Sequence, residues 1–275
     1  MKTDNLFSID PWPKADDVRI VSHTGHQWYH TPDGDFPRTT QVLKAIGTGT
    51  EGLIRWAATT EQAAVLEAAV QELATSGGSV IPDQFGASVK KRLGSVKAHQ
   101  RQLMKAGDIG TEIHAAIQHY LNTELGQTDA PPPTLSHPAA IAFLSWKNWW
   151  EKLGRRVVKV EQPVWDPVLG YAGTIDCLTD SEHPGVLELW DWKSSAGVYD
   201  THHIQAAAYI RAANRWGIVV PGGIVRLPKD TKGSLDVEVH VIGHLYDGRM
   251  LTIDELYDCF KAARLLWGNL VGPRT

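Results

Sequence analysis

Residues 170–195 read GYAGTIDCLTDSEHPGVLELWDWKSS. Two runs of strand-forming residues, 172–180 and 185–193, lie on either side of a turn-forming segment. The second run passes through Val186, Leu187, Glu188, Leu189 and Trp190 and closes on Asp191, Trp192 and Lys193. Period two puts Asp191 and Lys193 on one face, the face of Leu187 and Leu189. An apolar row that ends in an acid and a base predicts a sheet whose rim opens into a site.

The pattern extends outward from this hairpin. Before it come a helix over 137–154, ended by Gly154, and a strand over 156–165; after it come a helix over 201–216, strands over 217–227 and 236–245, and a helix over 252–270. The order αβββαβ, with an added strand and helix, predicts a mixed sheet flanked by helices. Upstream, residues 18–45 read as a β-hairpin with an Asp33-Gly34 turn, followed by a helix opening at RTTQVLKAIG. Helical stretches follow over 51–75, 84–106 and 110–124, and Pro131 to Pro133 form a linker. The expected division is therefore 1–125, an N-terminal hairpin with a helical cap that includes the His114 helix, and 135–275, the sheet-bearing core.

With 275 residues, 43% hydrophobic and 21% charged, the chain is long enough for one catalytic domain and a helical elaboration. Cys177 and Cys259 are its only cysteines, too few for an iron–sulfur cluster or an all-cysteine zinc site. The histidines at 23, 26, 30, 202 and 203 lack zinc-ligand spacing, and neither GxxxxGK[ST] nor GxSxG occurs, so an ATP-driven motor or serine hydrolase is unsupported. No apolar run reaches the roughly 20 residues of a membrane span. The N-terminus lacks the pattern of a signal peptide, and a cytoplasmic protein without membrane contact is expected.

The formal charge of −4 argues against a chain held on nucleic acid by its overall field alone, so any such contact must come from local patches and metal ions. One basic segment exists: Lys90, Lys91, Arg92, Lys97, Arg101 and Lys105 occur with no acid between Gln84 and Gly107. On a continuous helix, positions 90, 97, 101 and 105 form one stripe. The hairpin could bring Asp176 to the same end of the sheet as Asp191 and Lys193. Two facing carboxylates repel unless a proton or cation lies between them, and oxygen ligands of this kind suit Mg²⁺ or Mn²⁺. A lone D-x-K is common by chance and reads first as an internal salt bridge.

Four motifs in one order change that balance: GTEIH (110–114), GYAGTID (170–176), LELWDWKSS (187–195) and QAAAY (205–209). Together they resemble the PD-(D/E)xK nuclease superfamily, in its RecB-like exonuclease branch, over about residues 108–228. The resemblance implies a restriction-endonuclease-like core. It makes His114, Asp176 and Asp191 metal ligands, joined by the carbonyl of Trp192, with Lys193 catalytic and Gln205 and Tyr209 in contact with DNA or the catalytic centre. Glu161 lies where the superfamily often places a supporting acid. Arg38 and Thr39 fall in a segment similar to one near the active site of related exonucleases, and Lys90, Lys97 and Arg101 would track the DNA backbone. The chain departs from many members in using Asp191 where they have Glu, and cluster-bearing members are excluded by the cysteine count.

The implied activity is a Mg²⁺- or Mn²⁺-dependent DNA exonuclease acting on single-stranded or duplex ends, in recombination, repair or processing, of a kind that suits a bacteriophage or prophage. A recombination or single-strand-binding protein is an expected partner. The alternatives are a structure-specific endonuclease of the same superfamily and an inactive DNA- or protein-binding module.

Overall fold

The computed structural model describes residues 10–23, 26–47, 50–79, 81–228, 236–245 and 247–272. Its contacts divide the chain into Met1–Ile46 with Glu112–Thr275, and Gly47–Thr111. The N-terminal segment and His114 thus group with the large sheet, a different partition from one at 125–135.

The N-terminal segment forms three antiparallel strands, β1 (Arg19–His23), β2 (His26–Thr31) and β3 (Gly34–Pro37), in the order β1-β2-β3. A single hairpin was expected; the Asp33-Gly34 turn joins β2 to β3, and β1 adds a third strand. Gly34 has φ +131°, and the Thr31 hydroxyl both donates to the Gly34 carbonyl and accepts from the Asp33 N–H. A short helix, α1 (Thr39–Leu43), follows.

Next come α2 (Thr50–Thr75), α3 (Pro82–Leu93) and α4 (Ala98–Glu124). The helix expected over 84–106 does not run through. Gly94, at φ +73°, stops α3, and the chain restarts at Ala98. Lys90 therefore sits on α3, Lys97 in the connection and Arg101 on α4, so the basic residues do not share one helical stripe. Arg101 donates to the carbonyls of Leu93 and Val96, closing the turn, while Arg92 pairs with Glu72 at 2.6 Å.

The sheet-bearing part continues with α5 (His137–Leu153), β4 (Val157–Asp166), β5 (Tyr171–Asp180), β6 (Val186–Lys193), α6 (Asp200–Ala213), β7 (Ile218–Arg226), β8 (Glu238–His240) and α7 (Ile253–Leu266). The strand expected over 236–245 is thus three residues long, and the last helix passes into a π-helical turn at Trp267–Val271. The five strands lie in the order β4-β5-β6-β7-β8, with β6 and β7 parallel and the other pairs antiparallel. The protein is α/β, with a three-stranded antiparallel sheet and a five-stranded mixed sheet flanked by helices. Helix α6 makes the crossover that a parallel pair requires.

Alternation along β6 sorts its side chains between two layers. Trp190 and Trp192 meet α5, with centroids 5.4 Å apart for Trp149 and Trp190 and 5.6 Å for Trp146 and Trp192. Leu189 joins the opposite cluster, which holds Ile204, Ala208 and Tyr209 of α6. Glycine on β7 makes room for the indole layer, since a Cβ on Gly223 would lie 2.8 Å from the Trp190 ring. Among the described residues, no helix is long and apolar enough to cross a membrane.

Candidate active site

The sheet opens where the charged residues lie. Strands β5 and β6 pair from Asp180 opposite Leu187 to Cys177 opposite Trp190, and there the ladder ends. One step further Asp176 would face Asp191. Instead of a backbone carbonyl, Asp176 Oδ2 accepts the Trp192 N–H at 2.7 Å. Strand β6 meanwhile stays paired with β7 as far as Lys193 opposite Arg226. The acids thus stand in a gap that one strand leaves and the other does not.

Asp191 is 2% exposed, and Lys193 Nζ lies 2.6 Å from its Oδ2. The lysine engages one lone-pair direction of that buried oxygen and leaves the second as an unfilled acceptor. Burial, reinforced by the charge of Asp176 and opposed by Lys193, pushes the Asp191 carboxyl up to about 6.

Glu161 reaches the same place from β4. Among the described residues it alone, apart from glycines, has a left-handed backbone, at φ +49°. Such a conformation costs about 1–3 kcal/mol and persists only where the surroundings hold it. One ligand atom each from Glu161, Asp176 and His114 of α4 lie within 4.8 Å of one another. His114 Nδ1 stands 3.8 Å from Asp176 Oδ1. Burial first, then the charges of Asp176 and Asp191, push the Glu161 carboxyl up to about 8.

Three carboxylates so placed repel one another in a poorly solvated site, and a cation would relieve them. An imidazole, two converging carboxylates and a buried carboxylate oxygen with unused acceptor capacity fit a small divalent ion. The converging set includes Glu161, which the motifs suggested only as support, while Asp191 is held by Lys193. Of Trp192, the indole lies in the tryptophan layer and the backbone N–H serves Asp176.

Helix α6 covers this end of the sheet. Gln205 Nε2 donates to the Tyr209 hydroxyl at 2.8 Å, and both side chains are buried. The Tyr209 ring lies on the backbone of Gly173, where a Cβ would come within 2.2 Å of the ring. The second glycine of GYAG is therefore a seat for Tyr209. Desolvation holds the Tyr209 hydroxyl well above the usual phenol range.

The N-terminal sheet borders the same strand. Tyr29 shares a 2.8 Å hydrogen bond with Thr174, and Arg38 lies over the Tyr29 ring and bonds Gln27. Thr39 was expected to touch DNA, but it is fully buried and its hydroxyl donates to the Ala172 carbonyl at 2.9 Å. It anchors α1 on β5 and presents no surface to a ligand.

The structure gathers His114, Glu161, Asp176, Asp191, Lys193, Gln205 and Tyr209, with Arg38 near the same strand. Lys90, Lys97 and Arg101 belong to the other compact unit, Gly47–Thr111, and are exposed there. The sequence marks His202 only as a histidine without zinc-ligand spacing, although it precedes Gln205 and Tyr209 at helical spacing. Comparison with family models and with curated proteins finds no match for this chain.

Proposed function

We propose that this chain is a metal-dependent DNA exonuclease with a PD-(D/E)xK core of RecB-like type. The observation that carries the proposal is the convergence of Asp176, Asp191 and Lys193, with His114 and Glu161, where β5 leaves β6. His114, Glu161, Asp176 and Asp191 would hold Mg²⁺ or Mn²⁺. When bound, that ion supplies a Lewis acid for phosphate and a more acidic water.

The residues contribute the rest. Asp191 fixes the Lys193 ammonium by ion pairing, which places it to hydrogen-bond the attacking water and to oppose charge building on the phosphate oxygens. The water oxygen bonds to phosphorus as the P–O3′ bond breaks, leaving a 5′-phosphate and a 3′-hydroxyl. Gln205 and Tyr209 brace the acid end of the row. The exposed cations of Gly47–Thr111 add local attraction for the DNA backbone.

The test uses end-labelled linear single-stranded, linear duplex and circular single-stranded DNA with Mn²⁺, Mg²⁺ or EDTA, comparing wild type with Asp191→Ala and Lys193→Ala. Loss of linear DNA that requires metal and both residues, with circles spared, is the expected result. Cutting of circles would make the protein an endonuclease. Intact substrates in every lane, with DNA still bound, would leave a binding module.

A further inference from the structure

Gln205 and Tyr209 do not exhaust the face that α6 turns toward the site. His202 precedes them by three and seven residues, so the three side chains fall within an arc of about 60°. Tyr209 lies in the field of Asp191 and Asp176, whereas His202 lies in the field of Lys193. Strand β6 ends at Lys193 and α6 begins at Asp200, so His202, one turn before Gln205, lies in the first turn of the helix that follows the lysine.

The hydrogen bonding of His202 determines which ring nitrogen carries the proton. Nδ1 accepts the Tyr199 backbone N–H at 3.2 Å, so the neutral ring bears its proton on Nε2. The Tyr199 ring packs against the imidazole edge to face at 5.3 Å. Burial first, then the positive charge of Lys193, lowers the imidazole to about 3, which keeps it neutral around pH 7. The side chain is half-buried.

We propose that His202 is a substrate-positioning residue whose Nε2–H holds a non-bridging oxygen of the phosphodiester facing Lys193. This rests on the nuclease reading above. An imidazolium there would repel Lys193, whereas a neutral N–H directs one phosphate oxygen without adding a second cation. The chain thereby supplies a directional donor beside its point charge.

Two substitutions separate this role from simple capping of α6. In His202→Asn the amide oxygen can replace Nδ1 as acceptor for Tyr199, while the distal donor is lost. In His202→Gln the amide oxygen can also accept from Tyr199, as Gln does at this capping position, while its N–H reaches toward the Nε2 position. The readouts are kcat and KM on an end-labelled linear oligonucleotide with Mn²⁺, well below each variant's Tm, together with Tm itself with and without Mn²⁺.

The expected result is a kcat for His202→Asn lower by about tenfold or more with little change in Tm or its Mn²⁺ shift, since lost transition-state donors cost up to about 10²–10³. His202→Gln should melt close to the wild type and retain most of the rate. The opposite pattern would overturn the proposal. Wild-type rates in both variants would leave His202 a cap, and equal losses in both would also overturn it. If the wild type cleaves no DNA while Mn²⁺ still raises its Tm, the nuclease reading itself fails, an outcome visible before any variant is compared.

Discussion

The Trp192 N–H donates to Asp176 Oδ2 at 2.7 Å, at the step where β5 stops pairing with β6. One carboxylate oxygen thus completes the sheet, and the other faces His114. Asp176→Asn keeps the volume and can keep the acceptor for Trp192, but loses the charge. Isothermal titration should show Mn²⁺ affinity weaker by about tenfold or more, with Tm unchanged or raised. Mn²⁺ binding as tight as that of wild type would remove Asp176 from the ligands.

Glu161 sets a pH dependence. Its carboxyl is raised from 4.5 to about 8 in the folded chain. Between those values the folded state holds a proton that the unfolded state has released, so this group's contribution to stability falls as pH rises through the window. A metal at the proposed site would compete with the same proton, so its affinity should rise with pH up to about 8. Melting curves from pH 5 to 9 should show a Mn²⁺-induced Tm shift that grows with pH in the wild type and flattens in Glu161→Gln. A parallel slope in the variant would assign the effect to other groups.

Gly173→Ala should displace Tyr209, because the new methyl would lie 2.2 Å from its ring. Overpacking of this kind costs about 1–3 kcal/mol. Denaturant unfolding should show that loss, and the double variant Gly173→Ala with Tyr209→Leu should recover part of it. Unchanged stability in the single variant would mean that the ring has another place to lie.

Thr39→Val removes the donor to the Ala172 carbonyl inside the structure. Leaving that acceptor unsatisfied should cost about 1–3 kcal/mol by denaturant titration, and Thr39→Ser should restore most of it. A valine variant as stable as the wild type would mean that the anchoring of α1 depends on packing alone.

The row from Leu189 through Asp191 to Lys193 was legible in sequence because period two is local and the ion pair needs no distant partner. The spacing of Gln205 and Tyr209 was legible for the same reason. Glu161 was underweighted because nothing in VVKVEQPVW shows that its backbone turns to φ +49°. The break at Gly94 was masked by the absence of any acid between Gln84 and Gly107, which makes the segment look continuous. Thr39 looked like a surface residue because its acceptor, Ala172, lies 133 positions away. In sequence His202 reads only as half of a histidine pair without zinc spacing, and the Tyr199 N–H that orients its ring is a backbone group that no side-chain pattern marks.

The tryptophan layer behind β6 carries an optical consequence. Trp146, Trp149, Trp150, Trp190 and Trp192 form a chain of ring contacts, with centroids 5.4–6.2 Å apart. Indoles this close couple their electronic transitions, so these five of the chain's eleven tryptophans should add a circular-dichroism signal sensitive to the posture of the strand bearing Asp191 and Lys193. The reverse side of that strand is thus a built-in chromophore, by which light would follow ion uptake at the proposed site even in variants that turn over no substrate.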